Sequence, residues 1–236
     1  MKQLLLYIKF ALQFAFDNKT LKHIKHYKRW YSDMHSGKTT LSLGLPWMTY
    51  DAIDFLKEIT SAEKNVFEWG SGGSTLFLAT RCKHVITIEH DKEWSKILKE
   101  KLNKLDIENV TLQEIEGERI ENFFNLNPEN ADDFVSKELK SSGLSYEKYV
   151  KAIDQYNNNH FDIIVVDGRV RNACIKRAIP HIKKGGYLIV DNSDRSYYLS
   201  EFNFLNNQNE WKKNEFVGPV FFQHAFSKTS IFKKLF

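Results

Sequence analysis

From residue 64 onward the chain alternates short apolar runs with stretches whose apolar positions recur every three or four residues. Short apolar runs bounded by turn residues predict strands, and the longer spacing predicts helices. The pattern predicts strands over 64–69, 84–89, 110–115, 162–167 and 186–191, and helices over 74–81, 92–104 and 171–183. Strands that alternate with helices give an α/β fold with a parallel sheet and right-handed crossovers. Two later apolar runs, 214–217 and 227–233, have no helix between them, so they can pair only as an antiparallel C-terminal hairpin at the sheet edge. Ahead of the first strand, LPWMTYDAIDFLKEIT predicts a helix with Ile53, Leu56 and Ile59 on one face, suited to cover that strand.

The segment between 118 and 160 is longer than a plain crossover needs. Its amphipathic stretches (Phe134, Val135, Leu139; Tyr146, Tyr149, Val150) predict helices, and its length suits a lid or substrate-binding loop. Tyr146 and Tyr149 stand at helical spacing and read as core. The N-terminal 45 residues form a separate helical arm, with the folded domain from 46 to 236. Within the arm, Lys2, Lys9 and Gln13 fall on one side of a helix whose remaining surface is almost wholly apolar. Lys22, Lys25 and Lys28 follow at helical spacing. Such a pair of helices suits peripheral contact with an anionic membrane, or packing on the domain or a second subunit. The apolar stretch is too short to span a bilayer, which takes about 20 residues.

Charge sharpens this division. The chain of 236 residues carries a formal net charge of +4, but residues 1–31 hold seven Lys/Arg against the one acid Asp17. The remainder is therefore slightly acidic, which argues against nucleic acid as a partner of the domain. Two unpaired cysteines, Cys82 and Cys174, suggest neither a disulfide framework nor a zinc site and fit a reducing, cytoplasmic compartment. HSGKTT at 35–40 looks like the end of a phosphate-binding loop. Ser32 stands where that motif needs its first glycine, and no strand precedes it.

The chemistry gathers at VFEWGSGGSTLFLA, residues 66–79. An apolar run, an acid at Glu68, a turn containing Gly70, Ser71, Gly72 and Gly73, and a helix opening at Ser74 place backbone N–H groups and a helix N-terminus beside a ligand. A second acid, Glu89, closes the next strand, where folds of this kind hold a ribose. The loop does not fit a dinucleotide: Thr75 occupies the last position of G-x-G-x-x-G, where close packing wants Gly or Ala.

These residues resemble those of the class I S-adenosylmethionine-dependent methyltransferases, over about Trp47 to Lys233. EWGSGG stands where that family has its acid-x-Gly-x-Gly loop, IEHD carries the ribose acid, and FDIIVVDG and GGYLIVDN stand at the fourth and fifth strands. The resemblance implies a Rossmann-like, doubly wound, mostly parallel seven-stranded sheet. It implies a cofactor held by Glu68, Gly70, Ser71, Gly72, Gly73, Ser74, Glu89 and Asp167, with Glu68 near the aminoacyl end and Glu89 on the ribose hydroxyls. The turn Glu114–Gly117 would pass near the adenine.

Asp167, Asp191 and Asn192 further resemble the ion-binding set of metal-dependent small-molecule O-methyltransferases of the catechol and caffeoyl-CoA type, and imply Mg²⁺ or Ca²⁺. Strand-end acids also cap helices, so both readings stand. Catechol-type enzymes carry a lysine base three residues after the first metal aspartate, and Val170 occupies that position here. His224 in the hairpin connection is then a candidate base, and Arg169 or Arg171 a candidate grip on an acidic substrate group. The expected activity is O-methylation of a hydroxyl on a small molecule or glycan. An NAD-dependent oxidoreductase and a catalytically silent cofactor-binding scaffold are the alternatives.

Overall fold

A computed structural model describes residues 2–236. In chain order the helices α1 (Lys2–Asn18), α2 (Tyr27–His35), α3 (Thr40–Leu43) and α4 (Tyr50–Ile59) precede the sheet. There follow β1 (Asn65–Trp69), α5 (Gly73–Ala79), β2 (His84–Glu89), α6 (Lys92–Lys104) and β3 (Val110–Glu114). The insert contributes a two-stranded ribbon, β4 (Glu118–Arg119) with β5 (Leu144–Ser145), and the short α7 (Glu147–Lys151). Then come β6 (Phe161–Val166), α8 (Arg171–His181), β7 (Ile182–Val190), β8 (Trp211–Pro219) and β9 (Phe226–Lys234).

Seven strands form one sheet in the order β3-β2-β1-β6-β7-β9-β8. The first five are parallel, and β9 and β8 return antiparallel at the edge. This is the parallel α/β frame expected from the alternation, closed as the Rossmann-like seven-stranded sheet that the resemblance implied. Strands with both faces covered should read as continuous apolar runs. Accordingly, Val66, Ile163 and Val165 face one core with Ile53, Leu56 and Phe77, while Phe67, Trp69, Ile164 and Val166 face a second with Ala173, Cys174 and Ile175.

Two boundaries differ from the sequence pattern. β7 begins at Ile182, not 186, because Gly185 (φ +78°) lets the chain bulge and pair Ile182 with Phe161 before the regular ladder. The insert is mostly irregular where amphipathic helices were expected. Side chains of Asn127 and Asn130 accept from the N–H groups of Glu129 and Asp132, which closes turns instead of helix. Tyr146 and Tyr149 are buried, the latter fully, and the indole of Trp69 donates to the Tyr149 carbonyl.

The N-terminal helices pack on the sheet's antiparallel edge. Tyr7 and Ala11 of α1 are buried, Tyr7 donates to the His23 carbonyl, and its ring meets Phe226 of β9 edge-on. Trp30 of α2 is fully buried and donates to the Gln223 carbonyl in the β8–β9 turn.

Candidate active site

The sheet order reverses between β1 and β6, which leaves a crevice at their carboxyl ends. A cavity of about 500 Å³ opens there, within the range of small-ligand sites. Its walls include the glycine loop, Glu89, Asp167 and Asp191.

The loop is shaped by close backbone contact. Gly70 turns at φ +91°, and a Cβ there would stand 2.7 Å from the Gly168 nitrogen and 2.8 Å from the Asp167 carbonyl. Both are main-chain atoms of the adjacent strand end, so neither can swing aside. Gly70→Ala is expected to cost about 2–5 kcal/mol of stability, from strained φ plus overpacking, measured by urea denaturation. A loss under half a kcal/mol would show that the turn is not held this way.

Glu89, at the end of β2, is 2% exposed and gathers the loops around its carboxylate. One oxygen accepts from the Ser71 amide (3.0 Å) and hydroxyl (2.7 Å), the other from the amides of His90 (2.8 Å) and Asp91 (2.9 Å). Burial pushes its pKa up, but the adjacent His90 imidazole, the Ser71 hydroxyl and the Asp91 amide outweigh burial and hold it below the usual carboxylate range. Trp94, one turn into α6, donates its indole N–H to the Ser71 carbonyl at 2.8 Å, and Asp91 caps that helix through the Trp94 amide.

Glu68 differs from the expectation. It is fully buried beneath the loop and does not line the cavity. Its Oε2 accepts from Thr75 (2.6 Å) and Thr87 (2.9 Å), and Thr75 Oγ1 accepts from the Gly72 amide, so the acid props the loop from behind. Its Oε1 has no hydrogen-bond partner. Burial lifts the carboxyl to about 7 against the hydroxyls around it. A carboxyl raised on folding binds a proton more tightly in the native state, so its contribution to stability falls as pH rises from about 4.5 to about 7. Glu68→Gln should therefore flatten the decline of Tm over that range, as read by thermal melts at several pH values. An unchanged slope would overturn this.

Asp167, Asp191 and Asn192 are brought to one end of the sheet, but not as a metal site. Arg171 lies among them, nearly buried. It pairs with the Asp167 carboxylate at 2.9 Å, stands 3.9 Å from that of Asp191, and donates to the carbonyls of Asp167, Gly168 and Asp191. Asn192 turns its amide to Ser227 at 2.9 Å. Among the described residues no three His, Cys, Asp or Glu side chains converge as an ion would need. A guanidinium cannot shed its charge, so a divalent ion between these aspartates would meet a fixed cation. The donor set does not fit Mg²⁺ or Ca²⁺.

Two other expectations are also corrected. Arg171 spends its donors inside the protein and offers no free fork to a substrate. His224 lies outside the cavity, bonded to Gln3 of α1 at 2.8 Å and edge-on to Trp30, because the β8–β9 turn is drawn toward the arm. The Glu114–Gly117 turn does not reach the cavity wall either.

Burial raises the pKa values of both Asp167 and Asp191; Arg171 opposes it at both, while repulsion from Glu68 adds at Asp167 and repulsion from Asp167 adds at Asp191. Asp191 also accepts from Thr229 at 2.6 Å. Thr40, Trp47, His90, Arg195 and Gln223 line the cavity without having been singled out by sequence. Arg169 donates to His90 Nε2 at 2.9 Å and pairs with Glu138 of the insert. Since a guanidinium only donates, the His90 proton must sit on Nδ1, 2.9 Å from Glu89. The adjacency of His90 to Glu89 in IEHD was the only available signal. Thr40 ends the HSGKTT segment set aside above, and Trp47 stands at the head of the LPWMTYDAIDFLKEIT helix read as a cover for β1.

No protein-family model matches the chain, and no curated protein does. Solved structures share the fold. An O-methyltransferase from Bacillus cereus in complex with S-adenosylhomocysteine (SAH) is 13% identical, with 87% of this chain and 96% of that one covered and a TM-score of 0.54. An rRNA methylase from Streptococcus thermophilus is 16% identical over 85% and 99%, with a TM-score of 0.53. Precorrin 8W decarboxylase from Methanobacterium thermoautotrophicum is 15% identical over 81% and 94%, with a TM-score of 0.51. At these identities the likeness establishes the Rossmann-like fold alone. The exclusion of nucleic acid drawn from charge is corrected to this extent: the same fold serves an rRNA methylase, so the frame itself sets no such bar.

Proposed function

We propose that the protein is an S-adenosylmethionine-dependent methyltransferase that acts on a hydroxyl of a small molecule or glycan, without a divalent ion. The observation that supports this reading above others is the Glu89 carboxylate, buried at the tip of β2 beside a glycine turn on the cavity wall. An acid in that place suits ribose hydroxyls. Glu89 and Asp91 beside the glycine turn favour a cationic ligand over a pyrophosphate, which weakens the NAD alternative.

When bound, the cofactor supplies an electrophilic methyl carbon on a cationic sulfur. The chain's part is to align the acceptor hydroxyl and take its proton. Alignment alone can supply about 7–11 kcal/mol of the barrier. Of the two cavity aspartates, Asp167 is paired more closely with Arg171, and Asp191 is held higher above the usual carboxylate range by burial and by Asp167. A base poised near neutrality is the effective kind. Asp191 takes that role, and Arg171 supplies the fixed positive charge that an ion supplies in metal-dependent relatives.

Calorimetry with SAH and with NADH tests the cofactor. Binding of SAH and none of NADH is expected, and the reverse would sink the proposal. In a methylation assay over a panel of hydroxyl acceptors, turnover should rise with pH through the neutral range as Asp191 ionises, and should survive chelation. Asp191→Asn should reduce it by about 10²- to 10⁴-fold and leave SAH affinity nearly unchanged. Methylation of rRNA alone would replace the acceptor class while leaving the cofactor reading intact.

A further inference from the structure

The exposed side of α1 carries an apolar stripe. Leu5, Ile8, Leu12 and Phe16 recur at spacings of three and four and form one stripe, with Leu4 at its margin. Leu5 and Leu12 are each 61% exposed and Phe16 is 88% exposed, although Tyr7 and Ala11 of the same helix are buried. The helix is therefore docked on one side and unpartnered on another. Contiguous exposed apolar surface of this kind marks an interaction site.

Charge indicates the occupant. Lys2 and Lys9 occupy the arc beside the stripe, and Lys19, Lys22 and Lys28 follow on exposed positions. Lys25 pairs with Asp51 and Arg29 with Asp54, but those five lysines have no carboxylate partner among the described residues. Five such lysines against the one acid Asp17 would repel a second copy brought stripe to stripe. They would instead attract a surface of negative headgroups. Among the described residues no helix is long and apolar enough to cross a membrane, so the geometry suits a helix lying in the interface.

We propose that α1 docks the protein on anionic lipid, with the Leu5–Ile8–Leu12–Phe16 stripe among the acyl chains and the lysines at the headgroups. The docked helix sits beside the cavity rim, since Gln3 bonds His224, the neighbour of cavity-lining Gln223. This does not depend on the methyl-transfer reading, because binding is scored without turnover.

The test is co-sedimentation of the full chain with vesicles of phosphatidylcholine containing phosphatidylglycerol, and with phosphatidylcholine alone. Binding to the first and not the second, weakening as salt rises, is expected. The double substitution Leu12→Asp and Phe16→Asp should reduce it at least about tenfold with an unchanged thermal melt, because both side chains are exposed. Lys9→Glu with Lys22→Glu should reduce it comparably. In Phe16→Trp, emission should shift to the blue on vesicle addition. The proposal fails if the chain ignores anionic vesicles at low salt, or if the double aspartate variant binds as the parent does. It also fails if the stripe instead forms a dimer that those aspartates dissolve.

Discussion

Replacing Glu89 by glutamine is expected to raise the Kd for SAH by about 10- to 100-fold, the worth of one or two charge-assisted hydrogen bonds at about 1.5–3 kcal/mol. The effect has two parts. An amide keeps one acceptor oxygen for sugar hydroxyls but, without the carboxylate's charge, accepts from them less strongly. It also leaves either the Ser71 pair or the His90 and Asp91 amides without an acceptor, because the carboxylate serves both at once. Calorimetry on the folded variant measures the loss, with Glu93→Gln, a neighbouring acid at the start of α6, as the comparison. A Kd within threefold of the parent's would mean that Glu89 organises the loops without touching ligand, and the cofactor assignment would lose its main support.

Arg171→Met should destabilise the fold by about 3–5 kcal/mol at pH 8, because it strands two buried carboxylates without their cation. Methionine fills much of the arginine stem's volume, so the loss isolates charge more than packing. The sign of the pH effect follows from the raised pKa values of Asp167 and Asp191. Removal of Arg171 raises them further, and protonation then neutralises the stranded pair. The deficit relative to the parent should therefore shrink as pH falls from 8 to 5. Urea denaturation at both pH values reads this directly. An equal deficit at both would assign Arg171 to packing alone and would weaken its placement as the fixed cation of the site.

Much of this protein was legible in its residues. The ends of β2 and α6 coincide with the apolar pattern, and the other central strands deviate by a residue or so apart from the bulged start of β7. Hydrophobic periodicity is local, and a strand buried on both faces has few alternatives. The hairpin of β8 and β9 was equally readable, since two runs without an intervening helix cannot pair in parallel. Asn-rich turns defeated the pattern in the insert, where side chains compete with the helical ladder for backbone N–H groups.

The site was legible as a set of positions and not as a set of partners. The sequence by itself determined that Glu68, Glu89, Asp167 and Asp191 stand at strand tips around a glycine turn, because strand length and sheet order fix which residues end each strand. It could not determine which arginine turns inward. The structure decides that through Val170, whose positive φ of 42° sends Arg171 beneath the two aspartates and Arg169 toward His90 and Glu138. Nor could it show Glu68 retreating behind the loop to the hydroxyls of Thr75 and Thr87 while Glu89 stays on the cavity wall. Those choices depend on which charges end up desolvated together, a property of elements far apart in the chain that exists only once they have packed.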